Sequence, residues 1–204
     1  MANYKTLMQI YNEQLLPLLT MLNSMQQMDN ALQLTLHNSF EIVEVPKKTI
    51  ILQEGKICTN VWYVVKGLLR TYCQIVDKEI TTRLMHTNYL ALAPGSYFTQ
   101  TASTETIQTI TNCTLAVITY NSMQYLLATY PQFNYHNRLL TEQYYYKLEQ
   151  RLYMLRKQDA AAKYQFFLKN YSTYAKYIPQ KYIASFLNIS PETLSRIRAK
   201  YKKE

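Results

Sequence analysis

The stretch IPQKYIASFLNISPETLSRIRAK, residues 178–200, carries the sharpest architectural signal in the chain. It reads as two short helices separated by three residues. Pro179 falls in the first turn of the first helix, where a missing N–H costs nothing. Ile183 and Leu187 supply a buried face, and Ala184 is small where a second helix would cross closely. Asn188 tolerates the left-handed conformation that ends a helix. Ile189 plugs the turn. Ser190 is a good N-cap, Pro191 suits the first helical position, and Glu192 suits the positive end of the helix dipole. Leu194, Ile197 and Tyr201 form the inward face of the second helix. These constraints coincide at the spacing of a helix-turn-helix, with Asn188 at a turn position where Gly is commoner.

The outward face of the second helix then presents Glu192, Thr193, Ser195, Arg196 and Lys200. Such side chains hydrogen-bond base edges: Arg pairs two-pronged with guanine, and Glu accepts from the cytosine amino group. Gln180, Lys181, Ser190, Arg198, Lys202 and Lys203 are placed for phosphates. The competing reading is a plain helical hairpin with a solvated charged face. Charge distribution favours a polyanion. Residues 1–150 hold ten Lys/Arg and ten Asp/Glu, whereas residues 151–204 hold twelve and three, so the whole excess of +9 lies in the last quarter.

Upstream, residues 134–157 form a long helical pattern. Leu140, Tyr144, Leu148, Leu152 and Leu155 recur along one side. They serve either packing on the same chain or a seam with a second copy; a single helix between two domains hardly buries a full stripe locally, which favours a homodimer. Residues 40–119 differ in character. FEIVEV, KTIILQ, VWYVVKG, LLRTYCQIV, EITTRLMH, ETIQTIT and CTLAVIT are short β-branched and aromatic runs between turn signals. They imply an antiparallel sandwich or roll, with a hairpin turn at Asp77-Lys78. Residues 120–129 read as a short helix ended by Pro131. Residues 2–28 read as a helix bent at Pro17, with Leu7, Ile10, Tyr11, Leu15, Leu18, Leu19 and Leu22 on one face. The fold class is α+β. The domains fall at 1–133, 134–157 and 158–204.

In this order of elements the chain resembles the Crp/Fnr superfamily of bacterial transcription regulators. ISPETLSRI is similar to that family's recognition helix, whose Ser-x-Glu-Thr-x-x-Arg spacing reads the major groove. Ser190, Glu192, Thr193, Ser195 and Arg196 occupy it here. LQEGKICTNVWYVVKGLLRTY looks like the family's strand-turn signature, with Gln53-Glu54-Gly55 and Val65-Lys66-Gly67 matching its glycine turns. The resemblance implies a cyclic-nucleotide-binding-like jelly roll, a dimerisation helix and a helix-turn-helix. It implies a palindromic double-stranded operator, a homodimer, RNA polymerase as a further partner, and a cytoplasmic location.

Two departures matter. Relatives that bind cyclic AMP hold its phosphate with an Arg and a Gly-Glu pair. The corresponding stretch, NYLALAPGSYFTQTASTETIQ, has no Gly-Glu, and no Lys or Arg occurs from Leu84 to Asn137. Burying an uncompensated phosphate is unfavourable, so the nucleotide site is expected to be degenerate and no cofactor is expected. Ser96, Thr99, Thr101, Ser103 and Thr104 are weaker donors for some other effector. The chain also stops at Glu204, which matches a short form without a β-hairpin wing and implies a modest salt slope.

Other chemistry finds little support. No apolar run approaches the ~20 residues of a membrane helix, and the N-terminus lacks a secretory signal. Cys58, Cys73 and Cys113 stand apart, an odd count that suits a reducing compartment. They do not match the N-terminal cluster of oxygen-sensing relatives, although Cys58 or Cys113 could sense oxidation. His37, His86 and His136 are scattered without metal-ligand spacing. No nucleophile elbow, phosphate-binding loop or carboxylate pair points to an enzyme. The twenty tyrosines serve core and interface, or stack on single-stranded nucleic acid. Two alternatives therefore stay open: a small-molecule-sensing adaptor for a protein partner, and a weakly specific single-stranded nucleic-acid binder.

Overall fold

A computed structural model describes residues 13–157 and 159–201. After a 3-10 turn at Glu13–Leu15, α1 spans Leu16–Met25, with Pro17 at its first turn rather than bending its middle. Leu15, Leu18, Leu19 and Leu22 are buried as the stripe requires. Leu7, Ile10 and Tyr11 lie outside the described residues. The helix expected to reach residue 28 stops at Met25, and a separate helix follows. This is α2, Asn30–Asn38, capped by the Asp29 carboxylate accepting from the Leu32 N–H at 2.8 Å.

Eight strands build the roll: β1 Glu41–Val45, β2 Ile50–Leu52, β3 Asn60–Lys66, β4 Leu68–Ile75, β5 Lys78–His86, β6 Leu90–Ala91, β7 Thr106–Thr109 and β8 Cys113–Thr119. They form two antiparallel sheets ordered β1-β8-β3-β6 and β2-β7-β4-β5. A short helix, α3 Pro94–Thr99, interrupts the strands. Ile75 pairs with Lys78, so the hairpin turn is Val76-Asp77, one residue earlier than expected. Val76 takes a left-handed φ of 54°.

The second sheet is apolar on both faces near its middle. Leu69 and Met85 join the core inside the roll, while Leu68 and Leu84 join a second cluster formed with the C-terminal helices. Burial on both sides explains why β4 begins with a run of buried residues instead of alternating. The remaining helices are α4 Tyr120–Thr129, α5 Pro131–Arg156, α6 Ala160–Tyr171, α7 Gln180–Leu187 and α8 Pro191–Tyr201. Pro131 opens α5, three residues before the expected start. Asp159 caps α6, accepting from the Ala161 and Ala162 N–H groups.

Gly67 joins β3 to β4 at φ 113°. A Cβ there would stand 2.5 Å from Cys113 Sγ and 2.8 Å from the Asn112 carbonyl oxygen. Gly55 has φ 83° but open space around it. Gly67→Ala should therefore cost ~2–4 kcal/mol in a denaturant-unfolding series, against ~1 kcal/mol for Gly55→Ala. Equal costs would show that the approach of Cys113 does not constrain this turn.

Candidate nucleic-acid interface

The residues of 178–200 sit as a capped pair of helices. Pro179 stands just before α7 with extended ψ, not inside its first turn, and its carbonyl accepts from the Tyr182 and Ile183 N–H groups. Ile183, Ala184, Phe186 and Leu187 are buried. Asn188 closes the helix in the left-handed region, φ 50° and ψ 54°, and the Ile189 N–H donates to the Ala184 carbonyl at 3.1 Å. Ser190 Oγ then accepts from the Thr193 N–H at 3.1 Å, capping α8. Leu194 and Ile197 are buried, and the Tyr201 ring packs edge-on against Tyr164 at 5.5 Å.

The opposite face of α8 is open. Glu192, Ser195, Arg196 and Lys200 are exposed. Thr193 is half-buried, and its hydroxyl already bonds Ser190 Oγ at 3.1 Å. The Glu192 carboxyl is held below the usual range, first by its own backbone N–H and then by the Ser190 hydroxyl, so it stays a hydrogen-bond acceptor at neutral pH. Gln180, Lys181 and Ser190 are exposed and Arg198 is half-buried. Lys202 and Lys203 lie outside the described residues. Not every cation of the basic segment faces solvent: Lys163 is buried and Arg151 is turned inward, which thins the expected positive surface.

Two arginines that sequence reasoning passed over fix this helical pair to the roll. Arg70 of β4, 2% exposed, lies between the Tyr72 and Tyr182 rings, 4.0 and 3.8 Å from their centroids. Its guanidinium donates to Glu79 Oε2 at 2.5 Å and to Gln108 Oε1 at 2.8 and 3.1 Å. Arg151 of α5 stacks 3.8 Å over the Phe186 ring and donates to the Phe186 carbonyl at 3.0 Å, near the negative end of α7. Burial lowers its pKa to about 10, which still leaves it charged at neutral pH. Between them, the Thr81 N–H donates to Ser185 Oγ at 2.9 Å and Tyr171 Oη donates to the Leu84 carbonyl at 3.2 Å. No local pattern marks such residues; only the long-range packing of α7 against the β4–β5 hairpin and α5 does.

The stripe on α5 divides. Leu140 packs against the roll core, Tyr144 turns to the same side, and Leu155 packs on the second cluster. Leu148 and Leu152 remain 40% and 51% exposed, beside exposed Tyr145 and Tyr153. Steps of four residues drift by roughly 40° each, so Leu140 and Leu152 cannot share one face.

In the roll, the expected effector hydroxyls are occupied locally. Ser96 Oγ accepts from the Cys58 N–H and donates to the Thr101 carbonyl at 2.5 Å. Ser103 Oγ donates to the Glu105 carbonyl. Thr99 bonds Gly95 and Thr101, and Thr101 and Thr104 are exposed. The cation-free stretch is bordered by Arg83, which shares an inward face of β5 with Met85. Glu105 neutralises it at 2.6 Å and accepts from the Thr82 hydroxyl at 2.8 Å.

A model of the cyclic nucleotide-binding domain family matches residues 42–130, from β1 to the end of α4. Among solved structures, FixK2 from Bradyrhizobium japonicum superposes with a TM-score of 0.70 at 15% identity, over 80% of this chain and 85% of that one. The c-di-GMP responsive global regulator CLP from Xanthomonas campestris gives 0.67 at 16% identity, over 86% and 92%. A protein assigned to the Crp/Fnr family from Eubacterium rectale gives 0.65 at 21% identity, over 86% and 84%. The chain has the Crp/Fnr fold. A comparison with curated protein sequences returned no match. No helix among the described residues is long and apolar enough to cross a membrane.

Within this Crp/Fnr framework, His86 lies where roll and helices meet. Its ring stacks on Tyr174 at 4.3 Å and meets Tyr89 at 4.4 Å. Burial lowers its pKa; the Thr87 carbonyl opposes the shift and the Lys147 charge adds to it. The unfolded chain therefore takes up this proton first, near pH 6.5, and stability falls as the pH drops below that value towards the folded-state pKa. His86→Phe should reduce the loss of thermal stability between pH 7.5 and 5.5, read by circular dichroism. An unchanged loss would place the pH sensitivity elsewhere.

Proposed function

We propose that this chain is a DNA-binding transcription regulator that acts as a homodimer on an inverted-repeat operator. The observation that carries the reading is the open face of α8, held outward while its other face is buried. In this reading α8 enters the major groove. Glu192, Thr193, Ser195, Arg196 and Lys200 meet base edges, while Gln180, Lys181, Ser190, Arg198, Lys202 and Lys203 meet phosphates. The exposed Tyr145, Leu148 and Leu152 of α5 supply the seam between two copies. Two-fold symmetry then sets half-sites about one helical turn, ~10 bp, apart.

Selection from random duplexes followed by gel shift tests this. The selected sites should be inverted repeats. Arg196→Ala should weaken them by ~1–3 kcal/mol and relax preference at one position, whereas Lys181→Ala should weaken all duplexes alike. Equal binding of scrambled duplex and single strands would favour a single-strand binder. No binding at low salt would favour a protein-binding adaptor.

The roll's nucleotide site is degenerate in this reading, because Glu105 neutralises Arg83 and the Ser96 and Ser103 hydroxyls are committed to loop backbone. Cyclic AMP at millimolar concentration should leave the melting temperature unchanged; a rise of several degrees would contradict the assignment.

A further inference from the structure

Residues 1–150 balance in charge, yet the roll carries a local cationic feature. It is the turn at residues 46–49, between β1 and β2. Lys47 and Lys48 are both exposed there, and neither forms an ion pair among the described residues. Thr109 of β7 holds the turn from inside. Its carbonyl accepts from the Lys48 N–H at 2.9 Å, and its hydroxyl donates to the Pro46 carbonyl at 2.7 Å and accepts from the Thr49 N–H at 2.9 Å. Asn112 Oδ1 accepts from the Lys47 N–H at 2.9 Å. All of these bonds use the backbone of the turn and none uses an ammonium group. Lys48 also takes a left-handed φ of 65°. Gly adopts that conformation freely and Asn readily, whereas a lysine in it is strained. A residue kept against its backbone preference points to a use for its side chain.

Two chains of contacts place this turn beside the start of α7. In one, the Lys48 carbonyl accepts from Gln108 Nε2 at 3.3 Å, Gln108 Oε1 accepts from Arg70, and Arg70 lies on the Tyr182 ring of α7. In the other, Ile110, next to Thr109, packs in the cluster that contains Ile178, two residues before α7 begins. Lys181 Nζ stands 5.2 Å from the Tyr182 ring centroid. The turn and the phosphate-facing residues Gln180 and Lys181 therefore border one surface. Acids on these elements are engaged: Glu79 holds Arg70, and Glu44 accepts from the Thr114 hydroxyl at 2.7 Å beside Lys66, which pairs with Thr114 in the sheet.

We propose that Lys47 and Lys48 contact duplex phosphates and extend the interface of α7 and α8 onto the roll. This inference rests on the proposed function. Two open ammonium groups on a turn without a pocket suit an extended polyanion rather than a small anion. Each strand of a duplex carries one phosphate per ~3.4 Å of axis, so a backbone seated on Gln180 and Lys181 continues over the neighbouring surface. Such contacts add affinity and fix register without reading sequence.

Fluorescence anisotropy with an inverted repeat selected from random duplexes and with a scrambled duplex, between about 50 and 200 mM salt, tests the pair. Lys48→Asn removes the charge and suits the left-handed backbone. It should leave the melting temperature unchanged or higher, weaken both duplexes alike, and lower the salt slope by ~0.9, which is about three-fold in affinity over that range. Lys47→Gln should lower the slope equally, and the double variant by ~1.8. Lys56→Asn removes one exposed charge beyond the other end of β2 and should leave the slope unchanged. An unchanged slope in Lys48→Asn, an equal fall in Lys56→Asn, or a lower melting temperature for Lys48→Asn would each overturn the proposal. A wild type that binds no duplex would defeat the proposed function and this extension together. Selection of inverted repeats with unchanged slopes in both lysine variants would defeat the extension alone.

Discussion

Everything at the C-terminal end depends on Arg70 lying charged and nearly buried between two tyrosine rings. Removing a guanidinium from water costs several kcal/mol unless its charge and donors are compensated. Here Glu79 compensates the charge, Gln108 takes two donors, and two π-faces cover the plane. One of those rings, Tyr182, belongs to α7, so the compensation is complete only while α7 rests on the sheet. Arg70 thereby converts an electrostatic requirement of the roll into a fixed position for the α7–α8 pair. Nη1 is the one nitrogen of this group without a partner among the described residues.

Much of this fold is legible in the sequence because its signals are local. Strands announce themselves as β-branched runs between turn residues. The α7–α8 corner is written in Asn188 and Ser190, whose side-chain chemistry suits one backbone state each. Local signals also mislead. In α2, Leu32, Leu34 and Leu36 alternate as a strand would, yet only Leu32 and Leu36 are buried and Leu34 is 43% exposed. The helical cue is the single Asp29 cap. The six residues of α3 are too few to show a period.

What was illegible shares another cause: it depends on partners far away in the chain. Arg70, Arg83 and Arg151 look like surface cations in their own segments. Each is turned inward by a neighbour that only tertiary pairing supplies, namely Tyr182, Glu105 and Phe186. The same blindness affects net charge, since a count cannot tell inward Lys163 from outward Lys200. The α5 stripe fails differently. Its apolar residues serve three surfaces in turn, so a single periodicity could not be assigned to any of them.

That division of labour makes α5 the member through which the parts of the molecule meet. Its 26 residues span roughly 39 Å. Phe133 is buried in the roll core near one end, and Met154 is buried in the helical cluster near the other. Arg151 then ties the helix to the last turn of α7 and to Thr81 of β5, 3.4 Å from its carbonyl. A packed helix moves as a body more readily than it bends, because bending breaks its backbone ladder while sliding only exchanges side-chain contacts. A displacement imposed at Leu140 is therefore carried to Arg151, three turns away, with little loss. At Arg151 it meets a cation whose desolvation is compensated only by α7 carbonyl and ring contacts and by Thr81. The α7–α8 pair must follow the helix or lose those contacts, and this linkage is set by the burial of two arginines rather than by any contact with α8 itself.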